Sequence, residues 1–222
     1  CGMVLLPAMP ELPDLEVYRE CLAALVVGKS LDKVRLLNPF VLRSFEPELS
    51  AVEGCRVIGV LRLGKRLVLS LEQDLFLTIH LMIAGRLRWR VRGATTARKV
   101  GAAALDFPNG TLLFTEAGAR KRASLHLVQG EDALEPFRRG GIEPLDASEA
   151  EFVEAVVREN RTLKRILTDP RLFSGIGNTY SDEILHRARL SPVMRSHSLD
   201  REATARLRDA CRTTLQEWTG RL

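Results

Sequence analysis

The stretch GAAALDFPNGTLLFTEA (residues 101–117) sets two short apolar runs on either side of Pro-Asn-Gly, and its reading decides the class of the fold. Runs of this length bounded by turn residues predict strands. Asn109-Gly110, a pair that tolerates the positive φ angles of a type I′ turn, predicts a tight hairpin between them. The same signature recurs outward from it. LDKVRLL (31–37), CRVIGVLRL (55–63), KRLVLSLE (65–72), LFLTIHLMI (75–83) and RLRWRVR (86–92) precede the hairpin, and ASLHLV (123–128) follows it. Eight strands predict a β-sandwich or a barrel.

Both flanks change period. Upstream, Leu15, Tyr18, Leu22 and Leu25 recur at helical spacing, with Pro13 suited to a first turn and Gly28 to the stop. Downstream of about Gly130 the strands cease, and EDALEPF (131–137), SEAEFVEAVVREN (148–160), TLKRILTD (162–169), TYSDEILHRARL (179–190) and residues 200–222 all carry helical periodicity. Gly140-Gly141 and Pro144 mark a linker. The expected division is a β domain over 9–136, a linker over 137–147 and a helical domain over 148–222. Residues 1–8 stand apart, because position 1 is Cys and a Met-Pro start follows at Met9.

With 45% hydrophobic and 27% charged residues, the 222-residue chain is neither disordered nor fibrous. Its 33 Lys+Arg against 28 Asp+Glu leave a net charge of +5, which favours polyanionic partners. Cys1, Cys21, Cys55 and Cys211 form no CxxC pair, so neither a zinc site nor a disulfide framework is expected, and reduced thiols point to the cytoplasm. No apolar run reaches the ~20 residues of a membrane span. VLLPA is too short for a secretion signal.

Three clusters are candidates for chemistry. In SGIGNTYSDE (174–183) a Gly-x-Gly turn makes Asn178 a candidate N-cap, and free amides at such a helix start hold phosphates; a plain tight turn is the bland alternative. In LGKR (63–66), Lys65 follows a glycine at a strand start and projects from the sheet edge, as solvated lysines do. Arg120, Lys121 and Arg122 make either a charged loop or a phosphate grip. His80 lies amid apolar residues and is expected either in the core or in a supporting place behind a site, rather than in catalysis; His126, His186 and His197 have no neighbours that make a site.

MPELPDLE (9–16), LGKR, HLMIAGRL (80–87) and GIGNTYSDEIL (175–185), in that order along a strand-then-helix chain, resemble the formamidopyrimidine-DNA glycosylase / endonuclease VIII family of base-excision repair. The resemblance runs from Met9 to the end. It implies an α+β fold: an N-terminal helix plus an eight-stranded β-sandwich, then a helix-two-turn-helix domain. It also implies a bifunctional glycosylase and AP lyase acting on oxidised bases in double-stranded damaged DNA, as a monomer. Pro10 corresponds to the nucleophile that forms a Schiff base with C1′. A terminal amine titrates near ~8 against ~10.4 for lysine, so it offers a neutral fraction near pH 7. Its iminium ion is the electron sink for β,δ-elimination. Glu11 corresponds to the general acid/base, and Lys65 to the phosphate-binding lysine implicated in elimination. Gly177, Asn178 and the amides beside them would hold backbone phosphates, helped by Lys164. Tyr180 and Glu183 would brace the motif.

The damaged base must be flipped out and the gap filled. Relatives carry HLGMSG and DPRRFG there, whereas this chain has HLMIAG and TEAGARKRAS (115–124). Ile83 stands at the Met position, and Met82, Arg120 and Arg122 are the remaining candidates. The family's C-terminal zinc finger has no counterpart here, so truncation before it is expected. No cofactor is expected in this chain, and zinc only in that finger. A catalytically silent homologue that only binds damaged or abasic DNA is the alternative. An internal proline nitrogen is a tertiary amide, so residues 1–8 are expected to be read-through or a misplaced start.

Overall fold

The computed structural model describes residues 9–222; the expectation about residues 1–8 lies outside them. Helix α1 (Leu12–Val26) begins where the Glu11 N–H donates to Asp14 Oδ2 at 3.0 Å, with Pro13 in the first turn. It stops before Gly28, whose φ is +78°. Its Leu15, Tyr18, Leu22 and Val26 are buried in the β domain, as the helical spacing predicts.

All eight strands form: β1 (Lys33–Leu36), β2 (Val57–Leu63), β3 (Arg66–Leu71), β4 (Leu75–His80), β5 (Gly85–Arg90), β6 (Gly101–Phe107), β7 (Gly110–Glu116) and β8 (Ser124–Gln129). They make two antiparallel four-stranded sheets, β1-β6-β7-β5 and β2-β3-β4-β8, whose facing side chains form the first core. The sandwich is therefore formed, not the barrel.

The β6–β7 hairpin is present, but its turn differs from the expectation. Phe107 pairs with Gly110, so Pro108 and Asn109 are the loop residues, and neither Asn109 nor Gly110 has a positive φ. Proline fixes φ near −65°, which rules out a turn of type I′ at its own position. Gly110 is instead needed for close approach, because a Cβ there would strike the Trp89 ring. The paired positive φ values fall at Gln73 (62°) and Asp74 (58°), between β3 and β4.

The second half is helical, with α2 (Glu149–Val157), α3 (Leu163–Thr168), α4 (Asn178–Ala188) and α5 (Arg201–Arg221). Residues Glu131–Phe137 form a 3₁₀ turn rather than an α-helix, since Pro136 lacks the amide that an α-helix needs. A second core gathers Phe152, Ile166, Phe173, Tyr180, Ile184, Leu207 and Leu215. Leu12, the first residue of α1, is buried in this core and donates its N–H to the Gly175 carbonyl at 3.0 Å. Helix α1 thus enters both cores.

One guanidinium fastens the two halves. Arg62 of β2, its side chain 8% exposed, donates to Glu16 of α1 at 2.6 Å, to the Gly64 carbonyl at 3.0 Å, and to Glu143 beyond the sandwich. Ser174 donates to the other oxygen of Glu143 at 2.5 Å. Nothing in the spacing of these residues announces the network.

Candidate functional site

The start of α4 is where the two halves meet. Asn178 does not cap this helix: Gly177 is the N-cap, and Asn178 is the first helical residue, exposed to solvent. The cap comes from Glu11, whose buried carboxylate reaches across from the opening of α1. It accepts from the N–H groups of Gly177 at 2.7 Å, Thr179 at 3.0 Å and Tyr180 at 3.2 Å. These are the amides that a helix leaves unpaired in its first turn, and a carboxylate there is favoured by the dipole. The amides expected to face outward for phosphate are thus occupied, and the exposed Asn178 side chain remains beside them.

Gly177 is required by crowding. A Cβ there would collide with the Lys65 ammonium and with the Glu11 carboxylate, so those two groups converge on the glycine from either side. Lys65 therefore does not project from a sheet edge; it turns into the interdomain cleft. Burial pushes its ammonium below the ordinary lysine range, and the nearby Glu11 opposes that shift. Pro10 is buried immediately before Glu11. Met9, Glu11, Lys65, Ile83, Thr168, Gly177, Asn178 and Thr179 line one cavity of about 350 Å³. A larger cleft of about 600 Å³ adjoins it, sharing Met9, Lys65 and Thr168 and extending to His80, Met82, Phe137 and Arg139.

The segment HLMIAG makes a tight turn after β4, closed by the Gly85 N–H on the Leu81 carbonyl at 2.8 Å. Met82 sits at φ +53° and lines the cleft, while Ile83 at the apex is 54% exposed. The loop after β7 lies against this turn, with Ala117 N–H donating to the Ala84 carbonyl at 3.3 Å. Buried Glu116 shapes that loop, taking the amides of Arg122 at 2.8 Å and Ala123 at 3.1 Å, and Lys121 donates to its carbonyl. Arg120 and Arg122 are left exposed. The structure so brings together Ile83 and the loop that carries both arginines.

Other expected residues fall differently. Lys164 is held by Asp182 of α4 at 2.7 and 2.8 Å. Tyr180 is buried with its ring 5.9 Å from Trp218, as a brace would be, but Glu183 is exposed. Of the two places expected for His80, it does not take the one in the core: it lines the cleft with Lys65, its pKa lowered to about 4 by burial and then by Arg66, Lys65, His126 and Arg139. Among the described residues no three His, Cys, Asp or Glu side chains are grouped to hold a metal, so a zinc site does not fit them. No helix among them is long and apolar enough to cross a membrane.

Residues 9–124 match the formamidopyrimidine-DNA glycosylase N-terminal domain, and residues 141–219 match the H2TH domain of the same enzymes. The chain belongs to the formamidopyrimidine-DNA glycosylase family. It is 38% identical over 216 residues to the formamidopyrimidine-DNA glycosylase of Heliobacterium modesticaldum, covering 94% of this chain and 78% of that one. Among solved structures, the Thermus thermophilus protein superposes with a TM-score of 0.81 at 35% identity, covering 95% of this chain and 76% of that one. The Lactococcus lactis glycosylase bound non-covalently to DNA containing an AP site superposes with a TM-score of 0.85 at 26% identity, covering 95% and 82%. The glycosylase-family chain thus spans about three quarters of the length of such relatives.

Proposed function

We propose that this DNA glycosylase of base-excision repair acts through a Schiff base on Pro10 and then, as an AP lyase, cleaves the strand by β,δ-elimination. The observation that supports this reading is the convergence of Glu11, Lys65 and Gly177 on one cavity directly beside Pro10. The mechanism needs Pro10 as the terminal residue. Its secondary amine attacks C1′ of the damaged nucleotide, the base leaves with a proton, and the iminium ion so formed acidifies C2′ for loss of the 3′ and then the 5′ phosphate. Glu11 moves protons at the sugar during ring opening. Lys65 holds the phosphate that flanks the reacting sugar and supports elimination.

Asn178 and Lys164 grip the backbone of double-stranded damaged DNA, with Gly177 letting Glu11 and Lys65 close beside them, and Lys164 must exchange Asp182 for phosphate as it does so. Ile83 enters the gap left by the flipped nucleotide. Arg120 and Arg122 address the opposite strand, with Met82 on the cleft side of the turn. In this reading residues 9–136 are the catalytic domain, 137–147 the linker and 148–222 the DNA-gripping domain, and the protein works as a monomer.

The test is borohydride trapping. A chain that starts at Pro10 is expected to form a covalent adduct with an abasic duplex and with one carrying an oxidised purine. Binding to both without any adduct would refute the Schiff-base mechanism and assign the silent, DNA-binding alternative.

A further inference from the structure

The far wall of the cleft carries cations that this reaction does not use. The register of β3 with β4 sets Arg66 opposite His80, and that of β4 with β8 sets Thr78 opposite His126. With a side-chain period of two, all four share the outer face of their sheet. Residues 131–137 cover that face. Leu134 is buried there with Val68 and Phe76, and the Phe137 ring stands 5.1 Å from the His126 ring and 5.4 Å from the Arg66 guanidinium carbon. Arg138 and Arg139 follow Phe137 directly.

The charges on this wall are unbalanced. Arg138 is paired, with Glu135 at 3.1 Å and Glu131 at 3.4 Å. Arg66 and Arg139 meet no carboxylate among the described residues, and Arg66 Nε is buried without a hydrogen-bond partner. Both line the 600 Å³ cleft together with Lys65 and His80. Burial and Arg139 both push the Arg66 guanidinium below its usual range. Arg66 is partly buried and Arg139 is exposed, and two like charges facing one cleft favour a ligand that brings negative charge to it. Lys65 is directed at Gly177 and Glu11 whereas Arg66 stacks on Phe137, so the two neighbours do not serve one ligand atom.

We propose that Arg66 and Arg139 form a second anion subsite of the cleft, which holds a phosphate of the damaged strand other than the one at Lys65. The guanidinium fork suits a phosphate bidentately, and His80 offers a ring N–H at its edge. The proposal rests on the reading that this cleft takes DNA. Its test uses a duplex with a tetrahydrofuran abasic analogue, which offers no C1′ hydroxyl for Schiff-base formation, so that binding is scored independently of Pro10.

Affinity is measured against salt for the full chain and for Arg66→Ala, Arg139→Ala and Arg66→Lys. Each alanine variant is expected to weaken binding about ten-fold, as loss of a charge-assisted hydrogen bond does, and to flatten the slope of log affinity against log salt by about 0.9. Arg66→Lys should keep the slope and lose part of the affinity. Arg139→Ala should not lower the melting temperature, which a packing role would. Neutral methylphosphonates placed singly along the damaged strand should reveal one position where the wild type weakens and the alanine variants weaken no further, distinct from the position that Lys65→Ala desensitises. Variants that match the wild type in affinity and slope would overturn the subsite while leaving the DNA cleft intact. Should inorganic phosphate bind the wild type and not the variants while DNA affinity is unchanged, the pocket is a free-phosphate site and the strand assignment fails. A wild type that does not bind the duplex overturns the subsite and the proposed function together.

Discussion

Replacing Glu11 by Gln tests what fastens the N-terminal end of α1 to the start of α4. The Glu11 carboxylate takes Gly177 and Tyr180 N–H on Oε2 at 2.7 and 3.2 Å, and Thr179 N–H on Oε1 at 3.0 Å. A glutamine keeps one acceptor oxygen. If that oxygen stays with Gly177 and Tyr180, the new NH₂ group confronts the Thr179 N–H, donor against donor. A polar group left unsatisfied in a buried place costs about 1–3 kcal/mol, and removing a negative charge from a partly buried helix start costs about 1 kcal/mol more. The sum, about 2–4 kcal/mol, corresponds at this chain length to a fall in melting temperature of about 5–15 °C. Calorimetry on Glu11→Gln measures it. The variant should also bind the tetrahydrofuran duplex less well, because the position of Asn178 depends on the same three amides. A melting temperature within 2 °C of the wild type (about 1 kcal/mol or less) would refute the reasoning, and Glu11 would then be a proton carrier without a structural part.

Arg62→Ala removes a cation that is 8% exposed and leaves Glu16 and Glu143 facing each other without it. The expected loss is about 3 kcal/mol, the low end for a broken buried pair, since Glu143 is 40% exposed; denaturant unfolding reads it. Asp182→Asn frees Lys164 from a partner at 2.7 Å and should raise affinity for duplex DNA several-fold at low salt while changing stability by less than about 1 kcal/mol, as for other exposed pairs. His80 titrates near 4 in the fold against an ordinary 6.5, so the unfolded chain binds the extra proton between these values. Stability is therefore full above pH 6.5 and declines as the pH falls toward 4, and His80→Asn should show a shallower decline over that window in matched melts.

How far the site was legible in the sequence depends on how far apart its parts lie along the chain. The strands β6 and β7 follow from a local period of two, and α1 from a local period near four, so their places were readable from a dozen residues each. The turn between β6 and β7 was misplaced by one residue because Asn109-Gly110 is a turn signal in its own right; only the Trp89 ring, seated on Gly110, shows that the glycine serves packing instead. The α4 cap was misread for the same reason. Asn178 has the right chemistry and the right neighbours for a cap, but the carboxylate that takes the amides lies 166 to 169 positions away. Arg62 offers no local signal at all, since its partners Glu16 and Glu143 stand 46 and 81 positions distant. Motif matching drew attention to Glu11 and Gly177 separately. That one carboxylate both follows the proposed nucleophile and caps a helix of the second half is a property of the packed chain, and in the proposed mechanism it would tie reactivity at Pro10 to the correct docking of the two halves.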